Sequence, residues 1–90
     1  MGGLKYKFIV YTKNDCPYCT AVKELLKQKG IRFQEIDVTG DESKMNELVS
    51  RTKYQTVPQI FFGDRFLGGY DELRALDDSG ELDRLIKTDR

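Results

Sequence analysis

The sequence predicts a single α/β domain, because strand-like and helix-like segments alternate along its 90 residues. Two observations support this prediction. Residues 7–12 are β-branched and aromatic, as in a buried strand, and apolar residues at helical spacing follow them. Residues 31–38 then alternate apolar and polar side chains, which is typical of a second strand. A chain of this length forms one hydrophobic core, so we expect one domain over residues 1–90.

The first helix is predicted from the apolar residues that recur after residue 16. Val22, Leu25 and Leu26 fall on one face of a helix, and Gly30 supplies a C-terminal stop. A strand, a helix and a second strand in this order form a βαβ unit. We therefore expect the first two strands to be parallel neighbours joined by a right-handed crossover.

A second helix is predicted after the turn residues 39–40. Asp41 can accept hydrogen bonds from the first backbone amides of this helix. Met45, Leu48 and Val49 recur at helical spacing, and we expect them to form its buried face.

The last third of the chain predicts a β-hairpin and a helical tail. The apolar segments 59–62 and 65–67 flank a Gly63-Asp64 turn. The glycine pair 68–69 ends this pattern, and apolar residues at helical spacing follow it. They are Leu73 and Leu76, then Leu82, Leu85 and Ile86 beyond a second break at Ser79-Gly80.

The composition argues against several classes of function. The 15 basic and 15 acidic side chains give a formal net charge of zero, and the basic residues are dispersed along the chain. We therefore expect no surface for nucleic acid or for an anionic membrane. No apolar run approaches the ~20 residues that span a bilayer. The first residues contain no apolar secretory segment, so we expect a cytoplasmic protein.

Cys16 and Cys19 are the only cysteines, and they lie where the first strand gives way to the first helix. The unpaired amides and the positive dipole of a helix N-terminus favour the thiolate of Cys16. Cys19 falls one turn further along on the same face, where it is better shielded. A disulfide between them needs only local adjustment, and Pro17 suits a first helical turn. The pair therefore predicts an attacking thiolate and a resolving thiol.

Three other roles for the cysteine pair remain as alternatives. A zinc site needs two more ligands, and since the chain has no histidine and no third cysteine, any cluster would be shared between chains. A structural disulfide that closes so short a loop would stabilise the fold little. The third alternative is a pair of buried, inert thiols. The position of the pair at a strand-to-helix junction favours redox chemistry over all three, and we expect no bound metal.

The segment Thr56-Val57-Pro58 has both a structural and a binding interpretation. Pro58 lies just before a predicted strand and holds Val57 out of the helical conformation. If the Val57–Pro58 bond is cis, the backbone N–H and C=O of Val57 point outward, where an extended substrate can pair with them. Otherwise Pro58 is a proline on an edge strand.

The segment that begins at Gly68-Gly69 also has two interpretations. Glycines allow a ligand to approach the backbone closely, and the amides of Tyr70 and Asp71 open a helix where a carboxylate would bind. The carboxylates of Asp71 and Glu72 could hold an ammonium group. The alternative is a glycine turn followed by an acidic first helical turn that binds nothing.

Together these segments resemble the dithiol glutaredoxins. The matching residues are Lys13-Asn14-Asp15-Cys16-Pro17-Tyr18-Cys19, Thr56-Val57-Pro58-Gln59-Ile60-Phe61 and Gly68-Gly69-Tyr70-Asp71, in the order and at the spacing of the family. The resemblance extends from Tyr6 to about Ile86. It implies a thioredoxin fold, with a four-stranded mixed β-sheet flanked by helices, and a cis bond before Pro58.

The resemblance also implies an activity. It implies a glutathione-dependent thiol–disulfide oxidoreductase that reduces protein–glutathione mixed disulfides and protein disulfides, with Cys16 and Cys19 as catalytic residues. No cofactor would be bound, because glutathione is the reducing co-substrate. The implied partners are glutathione and glutathionylated or disulfide-containing proteins, with ribonucleotide reductase as one candidate. We expect a monomer.

By resemblance, glutathione would contact three parts of the chain. The segment Thr56-Val57-Pro58 would pair with the cysteinyl backbone of glutathione through Val57. The remaining contacts would be Gly69, Tyr70 and Asp71 at the γ-glutamyl end, Lys13 and Gln55 at the glycyl carboxylate, and Tyr18 beside Cys16.

Two positions depart from the family pattern. Gln55 stands where members often carry arginine, and the loss of that cation predicts weaker binding of the carboxylate. Asp15 places an acidic side chain directly before Cys16, and a like charge disfavours a thiolate. We expect Cys16 to be more acidic than a free thiol, but less so than in a member with a neutral residue at position 15.

Two other functions would use the same residues. The first is a hydrogen donor to ribonucleotide reductase that thioredoxin reductase recharges, although Lys13, Tyr18 and Asp71 are suited to glutathione. The second is an iron–sulfur carrier, a dimer that shares a cluster between two Cys16 thiolates and two glutathiones. The bulky Pro17-Tyr18 pair argues against the carrier.

Overall fold

A computed structural model describes residues 6–88, which form four β-strands and four α-helices. In chain order they are β1 (Phe8–Thr12), α1 (Pro17–Gln28), β2 (Phe33–Asp37), α2 (Glu42–Thr52), β3 (Gln59–Phe62), β4 (Arg65–Gly68), α3 (Tyr70–Ser79) and α4 (Glu81–Thr88). The order confirms the predicted alternation, the hairpin and the helical tail. The prediction of one domain over residues 1–90 stays a prediction, and residues 1–5 and 89–90 lie outside the described residues.

The strands form one mixed sheet in the order β2-β1-β3-β4. β1 and β2 are parallel, with Phe8 opposite Phe33 and Thr12 opposite Asp37, as the βαβ pattern predicts. β3 is antiparallel to β1 and to β4, and it joins β4 through the predicted turn at Gly63. The four-stranded mixed sheet of the thioredoxin fold is therefore confirmed.

The strand directions bring three segments to one edge of the sheet. β1 and β4 end at this edge and β3 begins there, since Tyr11 pairs with Gln59 and Gly68 pairs with Ile60. The cysteine pair follows β1, Pro58 precedes β3, and α3 begins after β4. The topology thus places the three predicted site segments side by side.

Two apolar clusters cover the two faces of the sheet. In the first, Phe8 and Val10 of β1 pack against side chains from α1, α3 and α4 that have no exposed surface. These side chains are Val22, Leu26, Leu73 and Leu82. In the second cluster, Ile9 and Phe61 pack against Leu48 of α2. Helices on both faces of the sheet confirm the α/β class.

The helix ends agree with the sequence, and one predicted buried face is narrower than expected. The carboxylate of Asp41 accepts a hydrogen bond from the backbone N–H of Lys44 at 3.0 Å and caps α2. Of the three apolar residues predicted to be buried on α2, Leu48 is buried, whereas Met45 and Val49 are half-buried. None of the helices within residues 6–88 is long and apolar enough to cross a membrane.

Candidate active site

Cys16 and Cys19 form a disulfide at the N-terminus of α1, with their Cα atoms 5.2 Å apart. Cys16 is the N-cap residue in an extended conformation, and Pro17 is the first helical residue, as predicted. The Cys16 Sγ accepts a hydrogen bond from the backbone N–H of Cys19 at 3.1 Å. A sulfur that accepts an amide hydrogen bond at a helix N-terminus is better stabilised as a thiolate.

The two sulfurs differ in their access to solvent. Cys16 is half-buried at the edge of the sheet, whereas Cys19 is only 2% exposed and lies in the apolar cluster beneath α2. An external thiol or disulfide can therefore reach Cys16 much more readily than Cys19. This asymmetry agrees with the predicted division into an attacking and a resolving thiol.

Pro58 lies next to the cysteine pair. The Val57–Pro58 peptide bond is cis, as the resemblance implies, and the carbonyl oxygen of Val57 lies 4.0 Å from the Cys16 Sγ. β3 lies between β1 and β4, so the alternative interpretation of Pro58 as an edge-strand proline is wrong.

Gln59 anchors the segment before β3 from inside the protein. Its side chain is completely buried, and its amide donates hydrogen bonds to the carbonyl oxygens of Tyr54 at 2.8 Å and Thr56 at 3.0 Å. Its amide oxygen accepts a hydrogen bond from the Thr52 hydroxyl at 3.0 Å. A buried amide that is paired in this way fixes the path of the loop, because breaking any of these bonds would leave a polar group unsatisfied.

A pocket of about 210 Å³ opens between this segment, α1 and the start of α3. Its lining residues are Tyr18, Tyr54, Thr56, Val57, Pro58, Tyr70 and Asp71. Tyr18 is 62% exposed, and the centre of its ring lies 5.7 Å from that of Tyr70. The pocket therefore has an aromatic wall, a backbone wall at Val57 and one carboxylate.

The start of α3 supplies backbone amides to the pocket. The N–H of Gly69 donates to the Glu72 Oε1 at 2.8 Å, and the first two helical amides, those of Tyr70 and Asp71, have no partner within the helix. The hydrogen bond from Gly69 holds the pKa of the Glu72 carboxyl below its usual range. These amides can donate hydrogen bonds to an anionic group, because they lie at the positive end of the helix dipole.

The loop between β1 and α1 is fastened to the turn that follows β2. The backbone N–H of Asn14 donates to the Thr39 hydroxyl at 2.8 Å, which in turn donates to Asp37 at 2.6 Å. The hydroxyl and the amide of Thr39 lower the pKa of the Asp37 carboxyl. Lys13 and Asp15, both exposed, lie in this loop.

Comparison with known proteins agrees with this geometry. The family model for Glutaredoxin matches residues 8–67, more than half of the chain. The chain belongs to the glutaredoxin family. It is a dithiol member, since both cysteines of the motif are present, and a glutathione-dependent thiol–disulfide oxidoreductase.

Three similar glutaredoxins illustrate the match. Glutaredoxin 3 of Escherichia coli (strain K12) is 47% identical over 78 residues, which cover 87% of this chain and 94% of that protein. The solution structure of glutaredoxin from Brucella melitensis is 42% identical, with a TM-score of 0.82, over 100% of this chain and 98% of that one. A buckwheat glutaredoxin–glutathione complex is 29% identical, with a TM-score of 0.86, over 92% and 78%.

Most of the predicted glutathione contacts of this glutaredoxin lie together, and three lie apart. Six of the seven residues that line the pocket were predicted from the resemblance. Lys13 and Gln55 are exposed and do not line it, and Gly69 is buried beside it. Neither Tyr54, which lines the pocket, nor the role of Gln59 is predicted from the sequence. No local pattern identifies either residue, because their roles arise from contacts formed only in the folded chain.

The part of the chain that the structure describes contains no group of three or more histidine, cysteine, aspartate or glutamate side chains that could hold a metal ion.

Proposed function

We propose that this glutaredoxin reduces protein–glutathione mixed disulfides at Cys16, and protein disulfides through Cys16 and Cys19 together. The observation that carries the proposal is the pairing of an accessible Cys16 with a shielded Cys19, beside a pocket lined by Val57 and Tyr70. The buckwheat relative, solved as a complex with glutathione, supports glutathione as the small-molecule partner.

Reduction of a mixed disulfide needs only Cys16. The Cys16 thiolate attacks the glutathione sulfur, a Cys16–glutathione disulfide forms, and the protein leaves as a thiolate. A second glutathione thiolate then attacks the glutathione sulfur of this adduct. Glutathione disulfide leaves and the Cys16 thiolate is restored. The two electrons come from glutathione, so the reaction requires no bound cofactor.

Reduction of a protein disulfide needs both cysteines. Cys16 attacks one sulfur of the disulfide, a mixed disulfide with the protein forms, and the other protein sulfur leaves as a thiolate. Cys19, one turn away, then attacks Cys16 and releases the second protein thiolate. This leaves the Cys16–Cys19 disulfide present in the structure, which two glutathione molecules reduce.

The pocket offers a partner for most polar groups of glutathione. We propose that the γ-glutamyl carboxylate binds the free amides of Tyr70 and Asp71, and that the Asp71 carboxylate binds the ammonium group. The Val57 backbone would pair with the cysteinyl residue. Lys13 and Gln55, outside the pocket, would meet the glycyl carboxylate at its rim.

The setting of the reaction is proposed from the sequence alone. We propose that the protein acts as a monomer in the cytoplasm, on glutathionylated and disulfide-containing proteins, with ribonucleotide reductase as one candidate. The balanced charge and the dispersed basic residues support proteins and glutathione as partners, rather than nucleic acid or a membrane.

Two serine variants test the mechanism. We expect Cys16→Ser to abolish both activities, because an alcohol is not appreciably ionised at neutral pH. We expect Cys19→Ser to retain reduction of a glutathionylated peptide while losing reduction of a protein disulfide. Tethered Cys19 has a high effective concentration that free glutathione does not match. The two reactions are assayed in parallel, with either glutathione or thioredoxin reductase as the electron source.

Each of three results would contradict the proposal. Substantial activity in Cys16→Ser would mean that another group is the nucleophile. Equal loss of both reactions in Cys19→Ser would exclude the one-thiol route. Reduction that depends on thioredoxin reductase and not on glutathione would exclude glutathione as the co-substrate.

A further inference from the structure

Tyr54 lines the pocket, yet nothing in the proposed reaction uses it. It lies in the loop between α2 and β3, and its hydroxyl donates to the Glu72 Oε1 at 3.2 Å. The same oxygen accepts the backbone N–H of Gly69 at 2.8 Å. A short chain of hydrogen bonds therefore connects the loop before Pro58 to the residue that precedes α3.

The packing around Gly68 and Gly69 leaves no room for a side chain at either position. A Cβ atom at Gly69 would collide with the Tyr54 hydroxyl and would lie 3.2 Å from the carbonyl oxygen of Pro58. A Cβ atom at Gly68 would lie 2.6 Å from the Cβ of Glu72, at a φ of +108°. The two glycines thus allow the phenol and the Glu72 side chain to close directly on the backbone.

The Tyr54 ring is itself held in place. It packs edge-on against Phe66 of β4, with the ring centres 5.5 Å apart. Its backbone N–H donates to the Thr52 hydroxyl at 3.1 Å, and its carbonyl accepts the buried amide of Gln59. The hydroxyl therefore projects from a fixed position, and Glu72 moves away from it only at the cost of a hydrogen bond.

The ionisation states of the pair suit this contact. Burial raises the pKa of the Tyr54 phenol, with the neighbouring Glu72 as a further cause. The hydrogen bond from Gly69 lowers the pKa of the Glu72 carboxyl. At neutral pH the phenol therefore keeps its proton and donates, while the carboxylate is ionised and accepts. A hydrogen bond to an ionised acceptor is about twice as strong as one between neutral groups.

We propose that Tyr54 is a positioning residue, which acts through Glu72 and Gly69 to hold the first amides of α3 in place for an anionic group of the substrate. This inference rests on the proposed binding of the γ-glutamyl carboxylate at Tyr70 and Asp71. We expect Tyr54 to affect the binding of the substrate rather than the ionisation of the Cys16 thiol, because its hydroxyl bonds to Glu72 and not to Cys16.

The test is Tyr54→Phe, which keeps the ring against Phe66 and removes only the hydroxyl. The glutathionylated peptide is the varied substrate. We expect KM to rise about fivefold while kcat stays unchanged, since a fivefold change lies within the range of coupling free energies for one pair of side chains in contact. Tyr11→Phe is the matched control, because Tyr11 packs against Phe61 beneath α2, outside the pocket. Its KM should equal that of the wild type.

A second variant separates action through Glu72 from direct contact with the substrate. We expect Glu72→Ala to raise KM at least as much as Tyr54→Phe, and the double variant to match Glu72→Ala alone. Amide hydrogen exchange gives a readout besides activity. The Gly69 amide should exchange faster in Tyr54→Phe and at the wild-type rate in Tyr11→Phe.

Three outcomes would overturn the inference. The first is an unchanged KM in Tyr54→Phe. The second is that Tyr54→Phe raises KM by the same factor in the Glu72→Ala background as in the wild type. The third is that Tyr54→Phe lowers both kcat and the melting temperature. None of these touches the proposed function. If the wild type does not reduce a glutathionylated peptide with glutathione as the electron source, the proposed function fails, whatever Tyr54 does.

Discussion

At the scale of single residues, Asp15 places a negative charge directly before the nucleophile. It precedes Cys16, its side chain is exposed, and its backbone has a φ of +55°. Its negative charge opposes the stabilisation that the helix N-terminus and the Cys19 amide give to a Cys16 thiolate. Solvent screening reduces this opposition, because the Asp15 side chain lies at the surface.

We expect Asp15→Asn to increase the fraction of Cys16 present as thiolate at neutral pH, by roughly two- to fourfold, since the charge is exposed and partly screened. Asparagine tolerates the left-handed backbone conformation as well as aspartate does, so the loop should keep its shape. Ultraviolet thiolate absorbance of the reduced protein against pH measures the change. Asp64→Asn in the exposed hairpin turn is the control. An unchanged titration midpoint in Asp15→Asn would show that the carboxylate is directed away from Cys16 or is neutralised by Lys13.

The cysteine pair and Pro58 could be predicted from the sequence. The residues that hold the site in place through hydrogen bonds could not. Cys16, Cys19 and Pro58 belong to short motifs whose chemistry depends on local backbone geometry. Tyr54 and Gln59 act through partners 18 and 3 to 7 residues away, which only the folded chain brings into contact. The sequence around Tyr54 does not indicate that its hydroxyl bonds to Glu72.

At the scale of elements, one polar cluster ties β1, β2 and α1 together. The buried hydroxyl of Thr12 donates to the Glu35 Oε2 at 2.7 Å, and the Lys23 ammonium lies 3.0 Å from the same oxygen. The Thr12 hydroxyl is the main cause that lowers the pKa of the Glu35 carboxyl, and Lys23 adds to it. This cluster lies at the end of β1, directly before the loop that carries the nucleophile.

We expect Glu35→Gln to lower the free energy of unfolding by about 0.5–1 kcal/mol at neutral pH, a discounted value because the carboxylate is partly exposed. The pKa of Glu35 is lower in the folded state than in the unfolded chain. Its contribution is therefore complete above the unfolded pKa and is lost as pH falls through the folded pKa. Urea unfolding at neutral and at acidic pH should show the two proteins converging in acid.

Glu24→Gln, on the exposed side of α1, is the control for Glu35→Gln and should follow the wild type at both pH values. If the Glu35→Gln difference were constant with pH, the loss would come from altered packing and not from the ionised carboxylate. If it grew in acid, the sign of the pKa shift in the folded protein would be opposite to that given by its hydrogen bonds.

β2 is shorter than the alternating pattern of apolar and polar residues predicts. The sequence predicts a strand over residues 31–38, and the structure pairs Phe33–Asp37. Ile31 and Val38 are buried at either end, but the amide of Ile31 bonds to Leu26 at the end of α1, and that of Val38 bonds to Thr12. Alternation thus predicts which side chains are buried, whereas strand ends depend on which backbone groups find a partner.

At the scale of the whole molecule, strand direction decides where the site forms. The βαβ pattern predicts that β1 and β2 are parallel, but the residues of β3 do not reveal that it lies beside β1 and runs antiparallel to it. The four-stranded mixed sheet is predicted from the resemblance to the family and not from the residues of β3. The antiparallel pairing of Tyr11 with Gln59 is what brings Pro58 to the cysteine pair.

The two C-terminal helices pack against the helix that carries the cysteine pair. They lie beyond residues 8–67, which the family model matches, yet Leu73 and Leu82 are fully buried against α1. The Lys29 ammonium at the end of α1 contacts Asp77 and Asp83 at 2.8 Å each, and these contacts raise the pKa of Lys29. α3 and α4 are thus fastened to α1, which carries the cysteine pair.

We therefore expect Leu82→Ala to destabilise the whole domain, by about 2–4 kcal/mol, because the Leu82 side chain is fully buried and its removal leaves a cavity. Urea unfolding should show one transition, and far-ultraviolet circular dichroism and the fluorescence of the tyrosines should report the same midpoint. Leu76→Ala, at a half-buried position on α3, is the control and should cost about 1 kcal/mol. Two separate transitions, or a loss no larger than that of Leu76→Ala, would mean that α4 does not share the core that it forms with α1 and the sheet. Below the transition, the Leu82→Ala protein should keep the wild-type kcat/KM for a glutathionylated peptide, because its defect lies in stability and not at Cys16.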